Sequence, residues 1–252
     1  MKQSSKTSWQ SVTPWYNKIV GTEGHYYHEH TVLPNSVRLL NLQSSSSLVD
    51  LGCGQGILSR AIPQISDYLG LDAAPGLIAE AKKKNRRSSY HFAVHDVTKP
   101  YNTDKKFSHA SFILSLQNMN SAESAIKNAA LLLETNGILL LVLNHPCFRI
   151  PRQSGWGIDE KTKQQYRWIN RYASALKIPI QMNPGKHASK VTWSFHHSLQ
   201  EYMNTLMQAG FALTNLEEWT SDKESEGKAA KMENRARSEF PLFLCLVAQK
   251  IK

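Results

Sequence analysis

The chain reads as an α/β domain built on a doubly wound parallel sheet. Three observations carry that reading. Short apolar runs alternate with helix-spaced segments from residue 48 to residue 143. The first run breaks into Gly52-Cys53-Gly54-Gln55-Gly56, glycines at alternate positions just where a strand would turn into a helix. A last helical pattern is followed by two strand-like runs, 211–219 and 241–251, which close the chain.

Taken in order, residues 1–42 form an N-terminal helical segment, polar and aromatic up to residue 30. A helix is expected over 32–42, with Pro34 in its first turn, where a missing N–H costs nothing. After the serine linker 44–47 come a strand at 48–51, a helix from about 57, a strand at 68–71 and a helix over 76–85. Strands follow at 90–94 and 110–114, then a helix over 122–133, which Asn136-Gly137 stops in a left-handed turn. The fifth strand is 138–143, and a helix over 198–209 ends at Gly210. Between these two lies 145–197, with Trp156, Tyr166, Trp168, Tyr172 and Trp193 and a helix expected over 159–176. A connection of that length at the C-terminal edge of a doubly wound sheet is read as a helical lid that carries the substrate side.

Composition sets the class. With 252 residues and 41% apolar content, the chain can bury one α/β core with an insertion. Its first ten residues hold no apolar stretch, so no secretory leader is expected, and the run 138–143 is too short to span a bilayer. Cys53, Cys147 and Cys245 fit neither a metal spacing nor a paired disulfide set, so no metal and a reducing, cytoplasmic setting are expected.

The run Val49-Asp50-Leu51-Gly52-Cys53-Gly54-Gln55-Gly56, with Asp72 twenty residues after Gly52, resembles the class I S-adenosylmethionine-dependent methyltransferases. The likeness is to the small-molecule, type 11/25 kind. It implies a Rossmann-like sheet of seven strands whose last strand runs antiparallel between the fifth and sixth. It also implies S-adenosylmethionine as cofactor, released as S-adenosylhomocysteine. Asp50 would precede a loop in which Gly52, Gly54 and the backbone of Cys53 face the methionine and ribose. Asp72, followed by Ala73, would accept from the ribose hydroxyls, with capping of the next helix as its other role. Asp96 would accept from the adenine amino group and the Val97 N–H would touch the ring. Phe112, Ile113 and Gln117 match positions near the sulfur, with core packing the alternative for the first two. Tyr16, Tyr26 and Tyr27 either close over the cofactor or pack.

Methyl transfer is mostly a matter of positioning, with a base near neutral pKa where the acceptor must lose a proton. Asn144 and His145 leave the fifth strand at the expected mouth, and His145 is the candidate base. Its alternative is a pre-proline residue steering the chain. His196 and His197 at the other end of the insertion compete for the same role. Asn144-His145-Pro146-Cys147 follows the fifth strand rather than the fourth, which sets it apart from the signature of amino-methylating nucleic-acid enzymes. Arg149 and Arg152 suit a carboxylate or phosphate, and Trp156 and His196 complete the expected substrate contacts. Residues 146–192 hold nine Lys and Arg against Asp159 and Glu160, so +7 of the net +10 falls there. The run 82–87 lies at the far end of its helix, where its charge complements the helix dipole. A small, anionic acceptor is the leading expectation, with no membrane partner. RNA or protein methylation through the basic insertion is the runner-up, and a non-catalytic cofactor-binding regulator is the third reading.

Overall fold

The computed structural model describes residues 7–21, 24–182 and 189–252. Its parallel strands are β1 (Ser47–Leu51), β2 (Asp67–Asp72), β3 (Tyr90–Val94), β4 (Phe107–Ile113) and β5 (Leu133–Asn144). Two hairpins outside the sheet follow, β6 (Ser154–Asp159) with β7 (Gln164–Ile169) and β8 (Leu176–Gln181) with β9 (Val191–His196). Then β10 (Phe211–Trp219) and β11 (Phe243–Lys250) return to the sheet. The order is β10-β11-β5-β4-β1-β2-β3, with β11 antiparallel between β5 and β10. That is the seven-stranded closure the resemblance implied.

Burial on both faces explains why the central strands read as continuous apolar runs. Successive side chains of β5 take opposite sides. Leu139, Leu141 and Leu143 join one core with Val49, Phe112 and Ile126, whereas Leu140 and Val142 join another with Leu48, Tyr68 and Ile78. The helices packed around the sheet are α2 (Leu33–Leu40), α3 (Ile57–Ala61), α4 (Pro75–Lys84), α5 (Ala122–Leu132) and α6 (Leu199–Gln208), while α1 (Ser8–Val20) rests on α4 and β9 and α7 (Ala230–Glu239) on β7. Thr7 caps α1 by accepting from the Trp9 N–H at 3.4 Å, and Ser198 caps α6 by accepting from Glu201 N–H at 3.3 Å. Pro34 lies in the first turn of α2, which a π-helical turn over His28–Val32 leads into. None of the described helices is long and apolar enough to cross a membrane.

Two local expectations are corrected. α5 ends at Leu132, so Asn136, left-handed at φ +65°, lies within β5 instead of stopping a helix. The helix expected over 159–176 is absent, and β7 and the start of β8 occupy that range. The apolar spacing there is shared between two faces of a hairpin. Tyr166 and Trp168 alternate with Gln165 and Arg167, and they lie across Gly157 and Gly155 of the partner strand, where a Cβ would overlap their rings. An aromatic over a cross-strand glycine is strand chemistry that a single-segment helical pattern hides.

Candidate functional site

The turn after β1 is made by three left-handed glycines, with φ of +77° at Gly52, +57° at Gly54 and +72° at Gly56. A Cβ on Gly52 would lie 2.6 Å from Ser115 Cβ, so the position excludes side chains by contact as well as by conformation. The Gly52 and Cys53 N–H groups donate to the Leu71 carbonyl at 2.7 and 3.0 Å, tying the turn to the end of β2. Asp72 then accepts from Gly54 N–H at 3.0 Å and Ala74 N–H at 2.8 Å, with Ala73 between. Burial raises its pKa to about 6 against the pull of those two donors.

Asp50 sits beneath this turn, 2% exposed, and accepts from Tyr68 Oη at 2.7 Å and Ser111 Oγ at 2.8 Å. Burial lifts it to about 6 as well. Its carboxylate therefore ties β1 to β2 and β4 from inside the sheet. The Cys53 thiol is buried against Gly70, and burial pushes its pKa well up, so the residue offers backbone rather than a thiolate. Above the turn lies Tyr16 of α1, its phenol oxygen 3.5 Å from where a Gly54 Cβ would be. Burial, then the Asp72 charge, raises its pKa. Tyr27 lies elsewhere, hydrogen-bonded to Ser221 Oγ at 3.0 Å and edge-on to Phe243. Tyr26 reaches Asp222 at 3.1 Å.

Farther along, Asp96 is exposed and closes its own turn, accepting from Thr98 N–H and Oγ1 at 3.1 and 2.7 Å, while Val97 is buried in the core. Phe112 is fully buried and Ile113 half-buried. Leu114 then adopts φ +52°, an uncommon state for a bulky residue. This kink places Ser115 against Gly52, where its Oγ donates to the Leu51 carbonyl at 2.7 Å. Gln117 follows, its amide nitrogen on the Leu114 carbonyl at 3.1 Å and its Oε1 buried with no partner.

Gln117 opens onto a cleft with Asn144, Arg149, His196, His197 and Tyr202 among its walls. The histidines there divide by what their nitrogens do. His145, 2% exposed, accepts at Nδ1 from Cys147 N–H at 3.2 Å and donates from Nε2 to Glu218 at 2.6 Å. Burial lowers its pKa in spite of Glu218. Both nitrogens are thus committed, joining the end of β5 to β10. His196 is bonded through Nε2 to the Tyr172 carbonyl at 2.7 Å. His197 contacts Glu201 through Nδ1 at 2.8 Å, and its Nε2 is buried without a partner.

Arg149 is half-buried, with its guanidinium over Phe243 and one long contact, 3.4 Å, to the Leu242 carbonyl. No carboxylate pairs with it among the described residues, and burial, then the charge of Arg167, lowers its pKa. Arg152 is exposed in a left-handed turn, and Trp156 is exposed on β6 beneath Arg167; neither lines the cleft. Nothing in the sequence reading pointed to Ser115 or Glu201. Glu201 did leave a signal, the four-residue spacing from His197 at the start of an expected helix.

The donor set fits S-adenosylmethionine. Side-chain-free backbone at Gly54, with nothing among the described residues nearer than Tyr16 at 3.5 Å, leaves room for close approach, and Asp72, already oriented by two N–H groups, keeps lone pairs for a vicinal diol. Among the described residues no group of His, Cys, Asp or Glu is arranged to hold a metal.

Known proteins share this fold. Residues 49–141 match the family described as "Methyltransferase domain". An uncharacterized methyltransferase of Schizosaccharomyces pombe is 42% identical over 48 residues, a stretch that covers 19% of this chain and 18% of that protein. An S-adenosylmethionine-dependent methyltransferase from Mesorhizobium loti superposes with a TM-score of 0.68 at 22% identity, covering 88% of this chain and 99% of that one. A Haloferax volcanii protein solved in complex with the Trm112 methyltransferase activator gives 0.67 at 14% identity, covering 96% of both chains.

Proposed function

We propose that this chain, which carries a methyltransferase domain of the class I fold, moves a methyl group from S-adenosylmethionine to a small anionic acceptor. The observation that supports the acceptor class most is Arg149, a half-buried cation on a residue that lines the cleft, with no acid beside it among the described residues. A cation held out of water without a counter-ion is costly, and an anionic ligand offsets that cost. Arg167, within electrostatic reach, strengthens the preference.

S-adenosylmethionine supplies a methyl group on a positively charged sulfur, which the acceptor atom attacks in line while the carbon–sulfur bond breaks and its electron pair stays on sulfur. The chain's part is to hold, orient and keep water out. Asp72 would hold the ribose hydroxyls, the Gly52–Gly54 backbone would lie against the sugar and methionine, and Asp96 with Val97 would border the adenine. Ile113 and Gln117 follow from β4 toward the reacting centre, and Phe112 supports them from the core. Asn144 and Arg149 meet the acceptor on the far wall. His145 acts as a clamp that fixes the chain direction after β5, where Pro146, Arg149 and Pro151 line the cleft.

The test is labelled-methyl transfer into fractionated cell extract. Label in low-mass metabolites retained by an anion exchanger supports the reading, and label confined to RNA or protein overturns it. One observation favours that second outcome: Tyr166 and Trp168 expose flat rings on the β6–β7 hairpin, close in sequence to Lys161, Lys163 and Arg171. Bases can stack on such rings, and binding would then weaken steeply with salt.

A further inference from the structure

We infer that His197, oriented by Glu201, is the base that takes the acceptor's proton, and that the methylated atom is therefore an O–H or N–H group. The inference rests on the methyl-transfer reading and deepens it. A carboxylate can only accept, so the 2.8 Å contact between His197 Nδ1 and Glu201 Oε1 puts the neutral ring's proton on Nδ1. Its lone pair then lies on Nε2, an atom that is buried and unpartnered, on a residue that lines the cleft. Gln117 faces the same cleft, and its amide nitrogen is spent on Leu114, which leaves Oε1 as a second buried acceptor without a donor. Two unmet acceptors and Arg149 belong to residues that border the same cleft. They would be met by a molecule with a protic group at one end and an anion at the other.

The other histidines are less well placed for this role. His145 uses both nitrogens within the protein, and His196 bonds the Tyr172 carbonyl through Nε2 where His197 has a carboxylate. Base and orienting acid within hydrogen-bond reach, beside an open cleft, is the arrangement proton abstraction needs. The proton lost by the acceptor moves to Nε2, and the imidazolium formed faces Glu201. The remaining charged or titratable groups around it are His196, Tyr202 and Arg149. Its location is also apt, because Gln117 stands two residues from Ser115, and Ser115 touches the glycine turn.

Two measurements test the inference. Nitrogen-15 histidine spectra of the protein saturated with S-adenosylhomocysteine should show His197 as the Nδ1–H tautomer, with the resonance identified by its loss in His197→Gln. An Nε2–H tautomer overturns the proposal whatever the acceptor. Labelled-methyl transfer to the anion-exchange fraction is then compared between wild type and variants. His197→Gln should lower transfer by about 10²-fold or more, in kcat rather than in KM. Glu201→Gln should lower kcat by about tenfold, and both variants should bind S-adenosylhomocysteine within twofold of wild type. A His197→Gln protein with wild-type transfer refutes the base. If wild type labels only RNA or protein, the small-acceptor reading fails, and the same comparison run on that product still decides His197.

Discussion

The two sides of the site meet their polar groups to different degrees. Around the glycine turn, Asp50 is satisfied by Tyr68 and Ser111, Asp72 by Gly54 and Ala74, and the Gly52 and Cys53 N–H groups by Leu71, while Gln55 Nε2 is buried without a partner among the described residues. Across the cleft, Gln117 Oε1 and His197 Nε2 are buried with no partner, and no acid pairs with Arg149 among the described residues. Buried polar atoms are normally paired, so an unmet atom marks where a ligand would complete the wall, and more of them lie across the cleft than in the turn.

The largest effect expected from breaking this contrast is at Gly52. Gly52→Ala forces a Cβ into a left-handed residue and onto Ser115, and should cost about 3 kcal/mol of folding stability together with measurable cofactor affinity. Denaturant unfolding and calorimetry with S-adenosylhomocysteine measure both, and an unaffected variant would show that the turn tolerates a side chain. Next comes Asp72→Ala, which should weaken S-adenosylhomocysteine binding by roughly 1.5–3 kcal/mol while the fold survives.

A smaller effect is expected from pH. Burial raises the Asp72 pKa to about 6, and its ionised form is the one that would accept two hydroxyls. Binding should therefore be flat above neutrality and weaken as pH falls through 6, by at most about tenfold per unit. A pH-independent affinity between 5 and 7.5 would separate Asp72 from the diol. The smallest effect is on stability at Arg149. Arg149→Gln removes an unpaired, half-buried cation, so folding stability should change by under about 1 kcal/mol and cofactor affinity should hold, while methyl transfer falls. Exposed Arg152, changed to Gln, should leave all three untouched. Loss of cofactor binding at Arg149 would erase the boundary between the two sides.

The sheet was legible because its strands are buried on both faces, which makes 138–143 read as an unbroken apolar run and 48–51 and 68–71 as short runs interrupted only by Asp50 and Gly70. The glycine turn was legible because only glycine suits φ near +60° to +80° in succession. The hairpins in 145–197 were not, because Trp168 and Tyr166 owe their places to Gly155 and Gly157 on a neighbouring strand, and spacing along one segment does not report that. The histidines show a similar limit. Sequence placed His145, His196 and His197 near the cleft alike, yet the difference between them lies in which nitrogen is already bonded. Glu218 and the Tyr172 carbonyl, which do that bonding, are 73 and 24 residues away in the chain.

Helix α1 carries a consequence for the order of events in a turnover. It roofs Gly54 with Tyr16, rests on α4 where Gln10 accepts from the Gly76 N–H at 2.9 Å, and is held to β9 by Lys190 on the Ser11 carbonyl at 2.5 Å. If cofactor exchange required α1 to lift, the contact beside β9, the strand that ends at His196, would break with it. Release of one ligand would then loosen the grip on the other, and the two residence times would share one opening rate. That roof lies before residue 49, so a fragment cut to the matched stretch would keep the glycine turn and lose the helix above it.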